Sequence, residues 1–395
     1  MFESLNDVFQ RYIDSGELAG CSLVIRQRDK VMFQGKWGYA DLARKTPLTE
    51  DSVFRLMSMT KCVIAAGVLQ LMESGKIALD DPISKFLPEF AEMRAAADPR
   101  YEYHPGMGKL AILSKVLFFD PKKVKTETAK RPITIRDLLT HSCGLEQGVV
   151  GVIQMLRDKT PRTTLKQNAA HYAKQILGFQ PGEGTGYSPI AAFDLLGYII
   201  EIVSGKKLER YLQDKIFEPL QMKHTSFTAP KEGLVRLYCR KGSRLVDVTG
   251  TKKDTDGFIR KRDGYASGSG GLYGTLEDYE HFAHMLLNNG EYSGKAVLRP
   301  ETVRLMRTEG PKNHLEPDPG FVWGLGVKIR QNPSKTGNPC TPGTYGWSGA
   351  FGTHFFISPA DELECVFMTN RSDLNGSGSY ISKRLEELVF SQLRG

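Results

Sequence analysis

The six cysteines stand far apart, at Cys21, Cys62, Cys143, Cys239, Cys340 and Cys365, and no two form a Cys-x-x-Cys pair. Neither a zinc-ribbon spacing nor a disulfide framework follows, so six free thiols in a reducing compartment are expected. Long apolar runs are also missing: the longest, Cys62 to Met72, is too short to span a bilayer. The first residues, Met1-Phe2-Glu3-Ser4-Leu5-Asn6-Asp7, carry acids early and lack the apolar core of a secretory signal. A cytoplasmic protein without a membrane span is expected. No Gly-x-Ser-x-Gly elbow is present, which disfavours an α/β-hydrolase with a Ser-His-Asp triad. Charge of one sign is scarce too. Lys+Arg outnumber Asp+Glu by 53 to 45 over 395 residues, a formal net charge of +8. The runs Lys122-Lys123-Val124-Lys125 and Arg260-Lys261-Arg262 stand apart without interleaved aromatics, so they read as solvated loops and no nucleic-acid partner is expected.

What remains is an ordinary globular composition, 40% hydrophobic and 25% charged, long enough to bury a sizeable core. Leu5, Val8, Phe9, Tyr12 and Ile13 recur at helical spacing. The strand-like runs Cys21–Gln27 and Val31–Tyr39 flank Arg28-Asp29-Lys30, a hairpin signal. A second hairpin is expected from Thr353–Ser358 and Leu363–Asn370, and Ile381, Leu385, Leu388 and Val389 mark a closing helix. The pattern predicts an α+β fold: an antiparallel sheet flanked by terminal helices, with a mainly helical domain inserted. The expected boundaries are 1–60 and 225–395 for the two-ended domain and 61–224 for the helical one, with the site at their junction. Within the insert, Ala191–Val203 reads as an apolar helix stopping at Ser204-Gly205, and Leu208–Phe217 as a shorter one. Residues 95–131 and 239–270 read as long loops.

Chemistry concentrates in three segments. After Phe54-Arg55-Leu56-Met57-Ser58-Met59-Thr60-Lys61 comes a run apolar almost all round, Cys62 to Met72, expected as a buried helix from Ser58 to Ser74 with Gly75 left-handed at its end. Ser58 could simply cap that helix. A capping box, however, wants Glu or Gln three residues on, and here stands Lys61, a cation at the positive end of the helix dipole. One turn apart on one face, the ammonium can reach the hydroxyl. A serine attacks a carbonyl only with a base beside it, and a lysine serves where burial disfavours its charged form. The second segment, Phe179 to Pro189, is a Gly/Pro-constrained loop delivering Tyr187, a possible base and then acid, ahead of an apolar helix. The third, Tyr345 to Thr353, reads as an inner strand whose glycines let a ligand approach the backbone, with Trp347 buried.

In this order the three segments resemble the serine β-lactamase and penicillin-binding protein superfamily, whose Ser-x-x-Lys element Ser58 and Lys61 match. The resemblance is nearest to class C β-lactamases and family VIII carboxylesterases. It extends to Gly75–Ile83, to Ile133–Leu145 and to Gly270-Gly271-Leu272-Tyr273-Gly274-Thr275. It implies Ser58 as the acylated nucleophile, Lys61 as its activating partner and Tyr187 as the first residue of a Tyr-x-Asn element. Which of Lys61 and Tyr187 takes the serine proton stays open, and the pair should titrate as a unit. The N–H groups of Ser58 and Ala350 would form the oxyanion hole, and Trp347, Ser348 and Gly349 would contact substrate. No metal or organic cofactor is implied.

Two departures shape the expected substrate. Trp347-Ser348-Gly349 stands where β-lactamases have Lys-Thr-Gly, so the cation that holds a β-lactam carboxylate is replaced by a broad apolar wall. Pro189 replaces the asparagine of Tyr-x-Asn, whose amide contacts the substrate amide and orients the lysine; a proline side chain does neither. A small-molecule ester is therefore expected as substrate ahead of an amide, cleaved through an acyl-enzyme on Ser58. A weak β-lactamase, a D-aminopeptidase or an acyltransferase shares the same nucleophile, and a non-catalytic scaffold is the alternative of another class. Cys143 is a weaker candidate for nucleophile, since it shows no activating environment in the sequence, and His354, in an expected strand near the site, reads as a packed histidine ahead of a general base.

Overall fold

An eight-stranded antiparallel sheet joins the two ends of the chain. The computed structural model describes residues 2–102, 114–160, 163–254, 265–308, 310, 320–332, 335, 337–376 and 378–394. The strands are β1 (Gly20–Gln27), β2 (Lys30–Asp41), β3 (Thr46–Pro47), β4 (Phe321–Trp323), β5 (Lys328–Arg330), β6 (Tyr345–Ser348), β7 (His354–Ser358) and β8 (Leu363–Thr369), in the order β4-β5-β6-β7-β8-β1-β2-β3. β1 pairs with β8 from Cys21 opposite Thr369 to Gln27 opposite Leu363, which closes the two hairpins into one sheet. Of the helices, α1 (Ser4–Asp14), α2 (Thr60–Glu73), α3 (Gly148–Arg157), α4 (Ala191–Ser204), α5 (Leu276–Leu287) and α6 (Tyr380–Arg394) position the site and its surroundings.

Strand alternation splits the apolar residues between two cores. Cys21, Leu23 and Ile25 of β1 pack with Phe356 and Phe367 under the terminal helices, meeting Leu5, Phe9, Ile381, Leu385 and Val389. Phe9 stacks on Phe367 and on Trp37 at 5.3 and 5.0 Å. Val24, Val366, Phe355 and Trp347 face the other way, into the larger core that encloses α2, α4 and α5. Each fully buried Leu or Ile there contributes about 1.5–3 kcal/mol. From Thr60 to Leu69 α2 has no polar face because every residue of that stretch is buried; a Cβ on Gly67 would meet Ile200 and Leu212 at 3.3 Å. Among the described residues no helix is long and apolar enough to cross a membrane. All six cysteines are free and buried.

Several expectations need correction. The helix expected from Ser58 begins instead as a 3-10 turn, Met57–Met59, and turns α-helical only at Thr60, because Met57 adopts a left-handed φ of 50°. The stretch Leu208–Phe217 is α-helical to Leu212 and continues as a π turn through Phe217. Residues 95–131 are not one loop: Arg94–Ala96 pairs with Thr126–Thr128. Within 239–270, Tyr238–Lys241 pairs with Arg244–Asp247, while Arg260-Lys261-Arg262 lies outside the described residues. Strands of three or four residues carry too little alternation to be read from sequence.

Candidate active site

Ser58 sits half-buried on the 3-10 turn that leads into α2, immediately after the strained Met57. Its hydroxyl caps no backbone N–H; it accepts from two side chains instead. Lys61 Nζ donates to Ser58 Oγ at 3.2 Å and Tyr187 Oη donates to it at 2.6 Å. The ammonium, 1% exposed, also donates to the carbonyls of Pro189 at 2.8 Å and Ser269 at 2.6 Å. Three donors thus meet three acceptors, and none of them is a carboxylate. The rings of Tyr187 and Phe193 lie 5.1 and 5.7 Å from Nζ and offer it their negative faces. Ser269 is held in turn by Asp194 in the first turn of α4, whose Oδ1 accepts from Ser269 N at 3.1 Å and Ser267 Oγ at 2.8 Å.

Tyr187 is gripped from both sides by His141. The His141 carbonyl accepts from Gly186 N at 3.0 Å and its Nδ1 accepts from Ser188 N at 3.1 Å, so the imidazole proton belongs on Nε2. Burial, with Lys61 adding to it, pushes the His141 pKa well down and keeps the ring neutral. Glu146 fixes the far side of the loop, accepting from the N–H groups of Ile190 and Ala191 at 2.8 Å where α4 begins. The tyrosine ring stacks on Trp323 at 5.9 Å and 13°, and Trp347 lies 5.1 Å away.

The third segment reaches the site from β6. Trp347 faces it, packed on Trp323 at 4.6 Å. Ser348 turns the opposite way, and this corrects its expected contact with substrate. Its Oγ lies 2.7 Å from His354 Nδ1, His354 Nε2 lies 3.2 Å from Glu386 Oε1, and Arg330 Nη2 donates to Glu386 Oε2 at 2.9 Å. The glycines serve neighbouring protein rather than a ligand. A Cβ on Gly346 would stand 2.1 Å from the Phe355 carbonyl, and one on Gly349 would stand 2.2 Å from Thr353 Oγ1 and 2.4 Å from the Leu56 carbonyl. That last approach, tied by Thr353 Oγ1 donating to Leu56 O at 3.2 Å, brings the end of β6 against the turn carrying Ser58. Neither Ser58 N nor Ala350 N donates to any described residue. Cys143 is buried and its thiol is pushed up to about 12, so it is inert. His354 lies across the sheet from Ser58, engaged with Ser348.

Nearly the whole chain, residues 5–389, matches the family model named Beta-lactamase. The chain belongs to the Beta-lactamase family. Protein Rv1367c of Mycobacterium tuberculosis is 30% identical over 90% of this chain and 86% of its own length. Esterase EstB of Burkholderia gladioli is 25% identical over 98% and 95%. The solved structure of EstCE1, described as a hydrolase with promiscuous acyltransferase activity, superposes with a TM-score of 0.79 at 25% identity, over 98% of this chain and 97% of that one. The mixed α+β architecture is accordingly the β-lactamase/transpeptidase-like fold.

Several groups at this β-lactamase-family site escape a reading of motifs. The Pro189 and Ser269 carbonyls are main-chain groups and carry no side-chain signature. His141 lies in Thr140-His141-Ser142-Cys143-Gly144, within the stretch Ile133–Leu145 to which the resemblance extends without marking the histidine. Trp323 had one signal, an aromatic before glycine in Phe321-Val322-Trp323-Gly324. One correction concerns Pro189: the position does orient Lys61, through its carbonyl rather than its side chain.

Proposed function

We propose that this β-lactamase-family hydrolase cleaves carboxylic esters through an acyl-enzyme on Ser58. The observation that carries the reading is the convergence of Tyr187 Oη and Lys61 Nζ on Ser58 Oγ, at 2.6 and 3.2 Å. In its reactive form the Lys61–Tyr187 pair holds one proton fewer than in the arrangement above; Ser58 Oγ attacks the ester carbonyl as its proton passes to the vacant place on that pair, which acts as one unit. The carbonyl becomes an oxyanion facing the N–H groups of Ser58 and Ala350, which have no other partner among the described residues. Collapse expels the alkoxide, which takes the proton back from the pair and leaves as alcohol. Water then adds to the acyl-enzyme, giving its proton to the same pair. The acid is released and Ser58 regains its hydrogen.

Selectivity follows from what walls the site. Trp347 and Tyr187, both packed on the fully buried Trp323, set aromatic rings where a cation would otherwise receive a carboxylate, which supports neutral, apolar acyl groups over anionic β-lactams. Gly349 gives close chain approach, Trp347 gives the wall, and Ser348 secures the strand from behind. An alcohol in place of water would complete an acyl transfer by the same steps. The likeness to EstCE1 supports that second reading. The test compares kcat/KM for a p-nitrophenyl ester and the p-nitroanilide of the same acid, with an alcohol added in a second series. Ester turnover at least a hundredfold above the anilide, abolished by Ser58→Ala, is expected. Equal rates on both substrates would contradict the ester reading.

A further inference from the structure

Away from Ser58, four large apolar side chains lie open to solvent in one region. Leu117 and Phe118 are 66% and 84% exposed, and Leu156 and Val152 of α3 are 56% and 36% exposed. The region holds together over a small core of Phe119, Val124, Val150 and Ile153. Arg157, at the end of α3, donates to the carbonyls of Val116, at 3.4 Å, and Phe119. This seats Leu117 and Phe118, at the end of the short helical stretch 114–117, beside α3. Val150 and Ile153 point inward; Val152 and Leu156, four residues apart, share the outer face. Exposed apolar groups gathered this way mark a contact surface.

The rim is cationic. Lys122, Lys123, Lys125 and Lys159 are exposed, and Lys115 is half-buried beside them. Between residues 114 and 125 four lysines face a single acid, Asp120. Asp158 is already engaged by His171 at 3.0 Å. A second copy of this face would set like charge against like, whereas a layer of acidic headgroups over acyl chains complements both rim and centre. The geometry points to docking on an anionic lipid bilayer, with Leu117, Phe118 and Leu156 entering the headgroup–acyl boundary and the lysines lying on the headgroups.

The placement relative to the site gives this docking a use. α3 begins beside Tyr187: its N-cap, Gln147, donates to the carbonyls of His141, at 2.6 Å, and Gly186. At 1.5 Å per residue, the helix sets the docking face about 15 Å from the Tyr187 loop. A bound enzyme would hold its site near the layer where apolar molecules collect. The docking itself stands apart from the ester reading and is tested without it.

The test is co-sedimentation of the full chain with vesicles of phosphatidylcholine alone and with one-third phosphatidylglycerol, at low and high salt. At least tenfold tighter binding to the anionic vesicles, weakened by salt, is expected. Phe118→Asp with Leu156→Asp should lose at least tenfold in vesicle binding while keeping the thermal midpoint and the turnover of a water-soluble ester. Lack of preference for anionic vesicles, or full binding by the double variant, overturns the proposal. So does a dimer that the double variant dissociates while the wild type ignores vesicles, or capture of an acidic protein under the same conditions without vesicle binding.

Discussion

The main-chain carbonyl of Pro189 accepts from Lys61 at 2.8 Å, two residues beyond the tyrosine whose hydroxyl meets Ser58. One tripeptide therefore fixes both partners of the proposed nucleophile. Because the carbonyl survives any side-chain change, Pro189→Ala should leave kcat for an ester within about threefold of wild type. Lys61→Met removes the ammonium at nearly constant volume and should lower kcat about 10²–10⁴-fold, the range for a positioned acid–base group. Steady-state kinetics on one ester distinguishes the two. Equal loss in both variants would contradict the assignment of the Pro189 contact to its backbone.

Tyr187→Phe deletes a single oxygen but keeps the stack on Trp323. Its kcat should fall by about 10²-fold or more with KM little changed, since the lost contact is to the reacting oxygen. Trp347→Leu should show the reverse, raising KM for an aromatic ester several-fold more than it lowers kcat. A KM effect in the tyrosine variant and none in the tryptophan variant would reverse the two roles.

The two hairpins that carry the chain ends were legible from sequence because their apolar runs turn on charged or Pro/Asp residues, whereas β3, β4 and β5 and the order of the eight strands were not. The Ser58–Lys61 spacing was legible because lysine there breaks a local rule. What escaped depended on contacts distant in sequence. Ser348 looked like a substrate group next to Trp347, yet strand alternation sends its hydroxyl to His354, and the decisive partner, Glu386, comes from α6. Gly349 looked like ligand space, but the space is filled by Leu56 and Thr353.

Two buried groups should contribute to the acid dependence of stability. His141 is held neutral in the fold, with its pKa well below 6.5, mainly through burial. Below about pH 6.5 the unfolded chain binds a proton that the fold refuses, so stability should fall by roughly 1.4 kcal/mol per pH unit. His141→Gln should flatten that slope between about pH 6.5 and 5. Urea midpoints across that range measure it.

Glu386 acts in a lower window. Burial raises its pKa, but His354 and Arg330 outweigh that and hold it at about 2. The stabilisation is present above the unfolded value near 4.5 and is lost as pH falls toward 2, roughly 3 kcal/mol in all. Glu386→Gln should remove this acid dependence and, by loosening His354 and Ser348 behind β6, lower kcat without moving the pH profile of Ser58 acylation. An unchanged acid-unfolding curve would show that the buried pair is not charged.

The central claim is that Ser58 is made nucleophilic by Lys61 and Tyr187. Intact-mass spectrometry after treatment with a fluorophosphonate tests it most directly, on wild type, Ser58→Ala and Lys61→Met. The account predicts one adduct on the wild type, none on Ser58→Ala and strongly slowed labelling of Lys61→Met. Equal labelling of wild type and Ser58→Ala would contradict it.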